Sequence, residues 1–263
     1  NDAAELNNNS STYVAWNWKA GGSASSNSSG DITSSVSVDT TAGFSIVSYT
    51  GNGSSGATVG HSLSAKPGLM IIKNRDEADS WQVYHHKNTS APATETLQLN
   101  ETGATSDTSN RWNDTEPTTT LFTLGDNPTV NKNTIKYIGY IFAEKIGYSK
   151  FGSYIGNGNA DGTFVFCGFK PAWVMVKPTE AADNWVMFDN KRHNAINSST
   201  APYQFYANKN FAETTDTKQL DFLSNGFKIR NSGNTINRTS TFVYMAFAES
   251  PFVTSTGIPI TAR

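Results

Sequence analysis

The sequence predicts an all-β protein, and three observations carry the prediction. Short β-branched and aromatic runs alternate with polar residues at a period of two. Gly, Pro, Asn and Ser separate these runs, and no window of twelve residues carries an amphipathic helical stripe. Blocks of the chain also recur at a nearly constant spacing. Ser48–Gly53 returns as Ser153–Gly158, shifted by 105 positions, and Tyr137–Glu144 returns as Phe242–Glu249 at the same shift. Pro67–Lys73 returns as Pro171–Lys177, and Trp81–Tyr84 as Trp185–Phe188, both shifted by 104. Two tandem antiparallel β-sandwich (jelly-roll) units follow from this, residues 43–147 and 148–253.

The elements can be justified in order. Residues 1–42 precede the first unit. Within them, Tyr13-Val14-Ala15-Trp16-Asn17-Trp18 follows an Asn/Ser-rich stretch, as the closing strands of both units do. It reads as the last strand of an earlier unit. The chain begins at Asn1 with no Met and no signal-peptide pattern, so a processed form or a fragment of a longer polypeptide is expected. Gly21–Gly30 reads as a flexible connector, and Ile32, Val36 and Val38 as a lead-in strand.

In the first unit, Phe44, Ile46 and Tyr49 lead into a Gly-Asn-Gly turn. Strands are then expected at Leu69–Lys73, Trp81–His85, Thr96–Leu99, Leu121–Leu124 and Ile135–Ala143. The second unit supplies Trp173–Lys177, Trp185–Phe188, Tyr203–Tyr206, Phe227–Ile229 and Phe242–Ala248. The closing strands are apolar on both faces, so they should be central and covered on both sides. Residues 254–263 form a C-terminal tail.

Composition narrows the function. Twenty basic against 22 acidic side chains give a net charge of −2, which argues against binding nucleic acid by bulk attraction. The longest apolar runs, Tyr137–Ala143 and Phe242–Ala248, fall far short of the ~20 residues of a helical membrane span, so no membrane insertion is expected. The single cysteine, Cys167, lies in an apolar run and reads as a buried, inert thiol. No nucleophile elbow, phosphate-binding loop or metal-ligand spacing is present, so no enzyme activity, cofactor or metal is expected.

The duplication sorts individual residues. Trp81 and Trp185 match and read as core anchors. Asn52 and Asn157 match inside glycine-flanked turns, where tolerance of positive φ explains them. Glu144 and Glu249 match at strand ends, where they should pair with a backbone donor or a base. His85-His86 stands opposite Asp189-Asn190 and reads as a surface or edge pair whose rings point to opposite faces, while His61 and His193 have no metal-binding neighbours. Asp76-Glu77-Ala78-Asp79 reads as a solvated hairpin tip. Asn-x-Ser/Thr triplets at Asn52, Asn88, Asn100, Asn113 and Asn237 follow from a composition rich in Asn, Ser and Thr.

One unmatched cluster stands out, Arg111, Trp112, Asn113 and Asp114, with Trp112 facing roughly Thr217 in the other unit. A loop Trp beside polar side chains offers an apolar face for sugar C–H groups and partners for hydroxyls. These four residues are the glycan-binding candidates.

Tyr13–Gly22, Ala42–Gly53, Tyr148–Tyr154 and Phe247–Phe252 together resemble an uncharacterised repeat domain of tailed phages, especially marine ones. That family resembles concanavalin-like β-sandwiches and occurs in tail-fibre-like or virion-appendage proteins. The resemblance implies a virion location and a structural role, not a ligand. With the duplication and the near-neutral charge, the expected partners are other virion proteins, further copies of the chain in a homo-oligomer, and host surface glycans or neighbouring subunits. The resemblance assigns no catalytic or binding residue. The expected function is therefore a non-enzymatic virion structural protein, as tail fibre, appendage or capsid decoration. A carbohydrate-binding module centred on Trp112 is the alternative, and a glycan depolymerase a third.

Overall fold

The computed structural model describes residues 8–192, 203–215 and 219–250. The lead-in and the first half contribute β1 (Ser25–Asn27), β2 (Ser34–Asp39), β3 (Phe44–Thr50), β4 (Ala57–Gly60), β5 (Leu69–Asn74), β6 (Gln82–His85), β7 (Glu95–Gln98), β8 (Ser106–Asp107), β9 (Leu121–Leu124) and β10 (Lys136–Phe142). The second half contributes β11 (Ser149–Ile155), β12 (Phe164–Phe166), β13 (Pro171–Pro178), β14 (Val186–Asp189), β15 (Tyr203–Tyr206), β16 (Thr214–Thr215), β17 (Leu220–Leu223), β18 (Gly226–Ile229) and β19 (Thr241–Ala248). Helical structure among the described residues is confined to single turns. The protein is all-β, built of antiparallel sheets.

Two large sheets dominate. One has the order β1-β2-β3-β10-β5-β6-β7-β8, the other β11-β19-β13-β14-β15-β16. With β3 matched to β11, β10 to β19 and β5 to β13, the two orders coincide; only β1 and β2 lack counterparts. The closing strands β10 and β19 are central in their sheets, as their two-sided apolar pattern requires. Two small sheets, β4-β9 and β12-β18-β17, lie over the outer faces.

Three hydrophobic cores result. In one, Val47, Tyr49, Ile72 and Tyr137 of the first large sheet pack under Val59, Phe122 and Leu124 of its small sheet. In a second, Tyr154, Val174, Val176 and Phe242 pack under Val165, Phe227 and Ile229. The third joins the two large sheets back to back. Phe44, Leu69, Ile71, Val83 and Phe142 meet Phe151, Trp173, Met175, Val243, Met245 and Phe247. Alternation explains the arrangement, because each strand sends successive side chains to opposite faces and both faces are apolar. Phe142 lies 6.0 Å from both Phe151 and Phe247, so the seam is aromatic. Burying each such ring contributes about 1.5–3 kcal/mol. Trp81 and Trp185 both join this core, with Trp81 stacked on Tyr140.

Two expectations about the N-terminal region need correction. Tyr13–Trp18 forms no strand, since no sheet edge accepts it. It lies extended instead, with Val14, Trp16, Trp18 and Ala20 turned inward and their neighbours outward. Trp18 meets Trp173 at 5.5 Å and Phe247 at 5.3 Å, which covers the end of the seam. Gly21–Gly30 is no flexible connector, for it contains β1 and packs closely. A Cβ on Gly21 would fall 1.7 Å from the Val38 carbonyl oxygen. The lead-in strand is present as β2, which pairs with β3 along all six of its residues. His193, Thr217 and the tail 254–263 lie outside the described residues.

The Gly-Asn-Gly turns also differ from expectation. Gly53 and Gly158 take the positive φ, at 72° and 66°, whereas Asn52 and Asn157 do not. The asparagine side chains instead cap the turns, accepting the Ser54 and Asn159 amides at 2.9 Å. Each turn is fastened from below by another buried asparagine. Asn131 accepts the Asn52 amide and donates to the Ser54 and Gly125 carbonyls. Asn237 does the same for Asn157, donating to the Asn159 and Asn231 carbonyls. Tyr49 and Tyr154 tie these latches to the large sheets through the Val130 and Ile236 carbonyls, both at 2.7 Å.

Candidate functional site

The seam between the halves is bound by polar contacts as well as by rings. The loop after β7 reaches across it. Thr105 N–H donates to the Thr179 carbonyl at 2.8 Å, and Asp183 N–H to the Thr102 carbonyl at 2.9 Å. Trp185 Nε1 donates to the Gln98 carbonyl at 2.9 Å. Lys177 is fully buried and donates to the Thr102, Pro178 and Ala181 carbonyls, and desolvation lowers its pKa to about 8. From the other direction, His85 places Nε2 3.1 Å from the Tyr244 carbonyl while Nδ1 accepts the Lys87 amide. Those partners assign the proton to Nε2.

This clasp leaves a polar cleft of about 590 Å³ beside the seam. Its walls come from both halves, the turn after β6 and the loop before β8 on one side, the β13–β14 turn and β19 on the other. Asn88 is 2% exposed, and its Oδ1 accepts the Thr105 hydroxyl at 2.8 Å. Among the described residues its Nδ2 is buried without a hydrogen-bond partner, and so is Glu95 Oε2. Both residues line the cleft, together with Thr105, Asp107, Thr179 and Glu180.

A second hollow of about 670 Å³ adjoins the first and shares Lys87 and Ser153 with it. It runs along β11 and β12, where Phe164 and Phe166 are 42% and 58% exposed. In the first half the matching edge, β3, is covered by β2. In the second half side chains cover part of the β11 edge. Glu144 Oε1 accepts the Phe151 amide at 2.8 Å, and His86 Nε2 lies 2.5 Å from the Phe151 carbonyl oxygen. An edge plugged in this way resists adding a foreign strand.

With this geometry in place, the chain can be compared with known proteins. A family model described as Domain of unknown function (DUF7483) matches residues 1–251. The chain belongs to the DUF7483 family. No curated protein and no solved structure matches it.

The four glycan candidates of this DUF7483 chain do not form a ligand site around Trp112. Trp112 ends a single helical turn, Ser109–Trp112, and is fully buried. Its Nε1 donates to the Glu95 carbonyl at 3.0 Å, and Tyr84 meets it edge-on at 6.1 Å. The expectation of an exposed sugar platform there is corrected, since the indole has no free face. Asn113 and Asp114 follow Trp112 with left-handed φ of 52° and 49°. Arg111 Nε donates to Gln82 Oε1, and Asn113 Oδ1 accepts the Ser55 hydroxyl.

The DUF7483 histidines are also placed differently. His85 is buried against the second half, which corrects its reading as a surface residue, and desolvation lowers its pKa to about 3. His61 is buried too, with Nδ1 accepting the Leu63 amide, and burial lowers its pKa to about 4. Burial raises the Cys167 thiol to about 12. Glu144 takes a backbone donor, and Glu249 pairs with Lys170 at 2.6 Å, as strand-end carboxylates should. At the hairpin tip, Asp76 accepts the Lys136 amide and Glu77 pairs with Lys132. Among the described residues no group of three or more His, Cys, Asp or Glu could hold a metal ion. The sequence singles out Asn88 only as one of the Asn-x-Ser/Thr triplets and Glu95 not at all. The available signal was the mismatch of Asn88 with Arg192 at the 104-residue shift.

Proposed function

We propose that this DUF7483 chain is a non-enzymatic structural module of a phage virion, in a tail fibre, appendage or capsid decoration. It would consist of two tandem jelly-roll, concanavalin-like repeats and contact neighbouring subunits or the host surface. The observation that carries the reading is the back-to-back aromatic seam, which joins the two large sheets through one hydrophobic core and would make the paired units a single stiff block. A module that must project from a particle and bear load needs that stiffness, whereas outer loops are free to vary. The buried titratable groups support it as well, because His61, His85 and Lys177 are each held in structural hydrogen bonds. The resemblance of Tyr13–Gly22, Ala42–Gly53, Tyr148–Tyr154 and Phe247–Phe252 to phage repeat domains supports the virion location. The test is mass spectrometry of purified particles. Peptides of this chain at the copy number of a structural protein are expected, and their absence from the particle would overturn the proposal.

A further inference from the structure

We propose that the polar cleft at the seam binds a neutral or amino saccharide, with Asn88 and Glu95 as the pair that recognises its hydroxyls. The assignment does not depend on where the chain resides.

Burial of an unpartnered amide donor and an unpartnered carboxylate oxygen is costly, so such atoms are rare in folded chains. Here the two atoms belong to residues that line one cleft, one a donor and the other an acceptor. Thr105 holds the Asn88 oxygen and so orients its amide, and Trp112 fixes the main chain of Glu95 through its carbonyl. A sugar hydroxyl is at once donor and acceptor, and adjacent hydroxyls can satisfy both groups together.

Charge narrows the class. Glu95, Asp107 and Glu180 line the cleft against a single lysine, Lys87. Uronates, sialates and phosphates would be repelled, leaving neutral sugars or those bearing an ammonium. A volume of about 590 Å³ lies within the ~300–1,000 Å³ usual for small-ligand sites. The adjoining hollow adds exposed aromatic faces at Phe164 and Phe166, suited to a further ring of an oligosaccharide.

Saturation-transfer NMR on the full chain tests this. The probes are the methyl glycosides of glucose, galactose, mannose and N-acetylglucosamine, with chitobiose, maltose, glucosamine and glucuronate. At least one neutral or amino sugar should bind with millimolar affinity, and glucuronate should not. Glu95→Gln should weaken binding about tenfold or more, the loss typical of a charged hydrogen bond. Glu180→Gln, on an exposed turn residue with no fold role, should weaken it about threefold. Failure of every probe would overturn the assignment. So would glucuronate binding as tightly as glucose, or affinity unchanged in both variants.

Discussion

His85 and His61 couple the stability of the fold to pH, and the size of the coupling follows from their burial. Both are held neutral in the folded chain, at pKa values of about 3 and about 4, by desolvation. The unfolded chain restores each to ~6.5. Below pH 6.5 the unfolded state therefore takes up protons that the folded state refuses. Stability is fully present above that value and is lost as the pH falls toward the folded values. Linkage puts the loss between pH 7 and pH 5 at about 2 kcal/mol for each histidine, or about 4 kcal/mol for both.

His85→Asn isolates one of them. Asparagine can still accept the Lys87 amide, as Asp189 accepts the Lys191 amide at the equivalent place, but it cannot titrate. Urea denaturation followed by tryptophan fluorescence at pH 7 and pH 5 gives the comparison. Wild type should lose about 4 kcal/mol and His85→Asn about 2 kcal/mol. Equal losses in the two proteins, within about 0.5 kcal/mol, would show that His85 is protonated in the folded chain and refute the reasoning.

Trp112→Ala should lower stability by about 3–5 kcal/mol by urea denaturation, the cost of emptying a fully buried aromatic site. A loss below about 1 kcal/mol would mean that the ring is exposed. Cys167 should react with a thiol reagent at pH 8 only as fast as the chain unfolds, because burial keeps its thiol protonated; rapid labelling of the native protein would contradict this. Asn131→Ala and Asn237→Ala should each cost about 2–4 kcal/mol in the same denaturation assay, since each leaves buried backbone groups of a turn unpaired. If only one of the two is destabilising, the duplicated latches are not equivalent.

Much of the sheet architecture was legible because its cause is local. Period-two runs and turn residues located β5, β6, β9, β10 and their counterparts, and two-sided apolar strands announced their central place. The seam was present in the same pattern, since a strand buried on both faces needs a second partner layer. That this layer is the other half of the chain is a long-range fact which periodicity does not encode. Trp112 shows the limit from the other side. A Trp among Arg, Asn and Asp looks like a surface platform, yet the ring packs inward against Tyr84 and the Glu95 carbonyl, partners distant in sequence. The place of Asn88 and Glu95 in one cleft was not legible, because their significance lies in hydrogen bonds that they fail to make. No linear pattern records that.

The departures from duplication show why the candidate site lies where it does. In the first half, β2 covers the edge of β3, and the lead-in leaves room only for small residues beside it. A Cβ on Gly60 would lie 2.2 Å from Asn27 Oδ1. The connection from β10 into β11 has no such lead-in strand. Phe164 and Phe166 stand at the positions of Thr58 and Gly60, and the Glu144 and His86 side chains take over part of the work of β2. Side chains fill less volume than a strand, so a groove remains along β11. It leads at Lys87 and Ser153 into the cleft that the clasped loop leaves at the seam. Among the described residues the second half has no counterpart of β2, and this leaves along β11 a surface lined by side chains rather than covered by a strand.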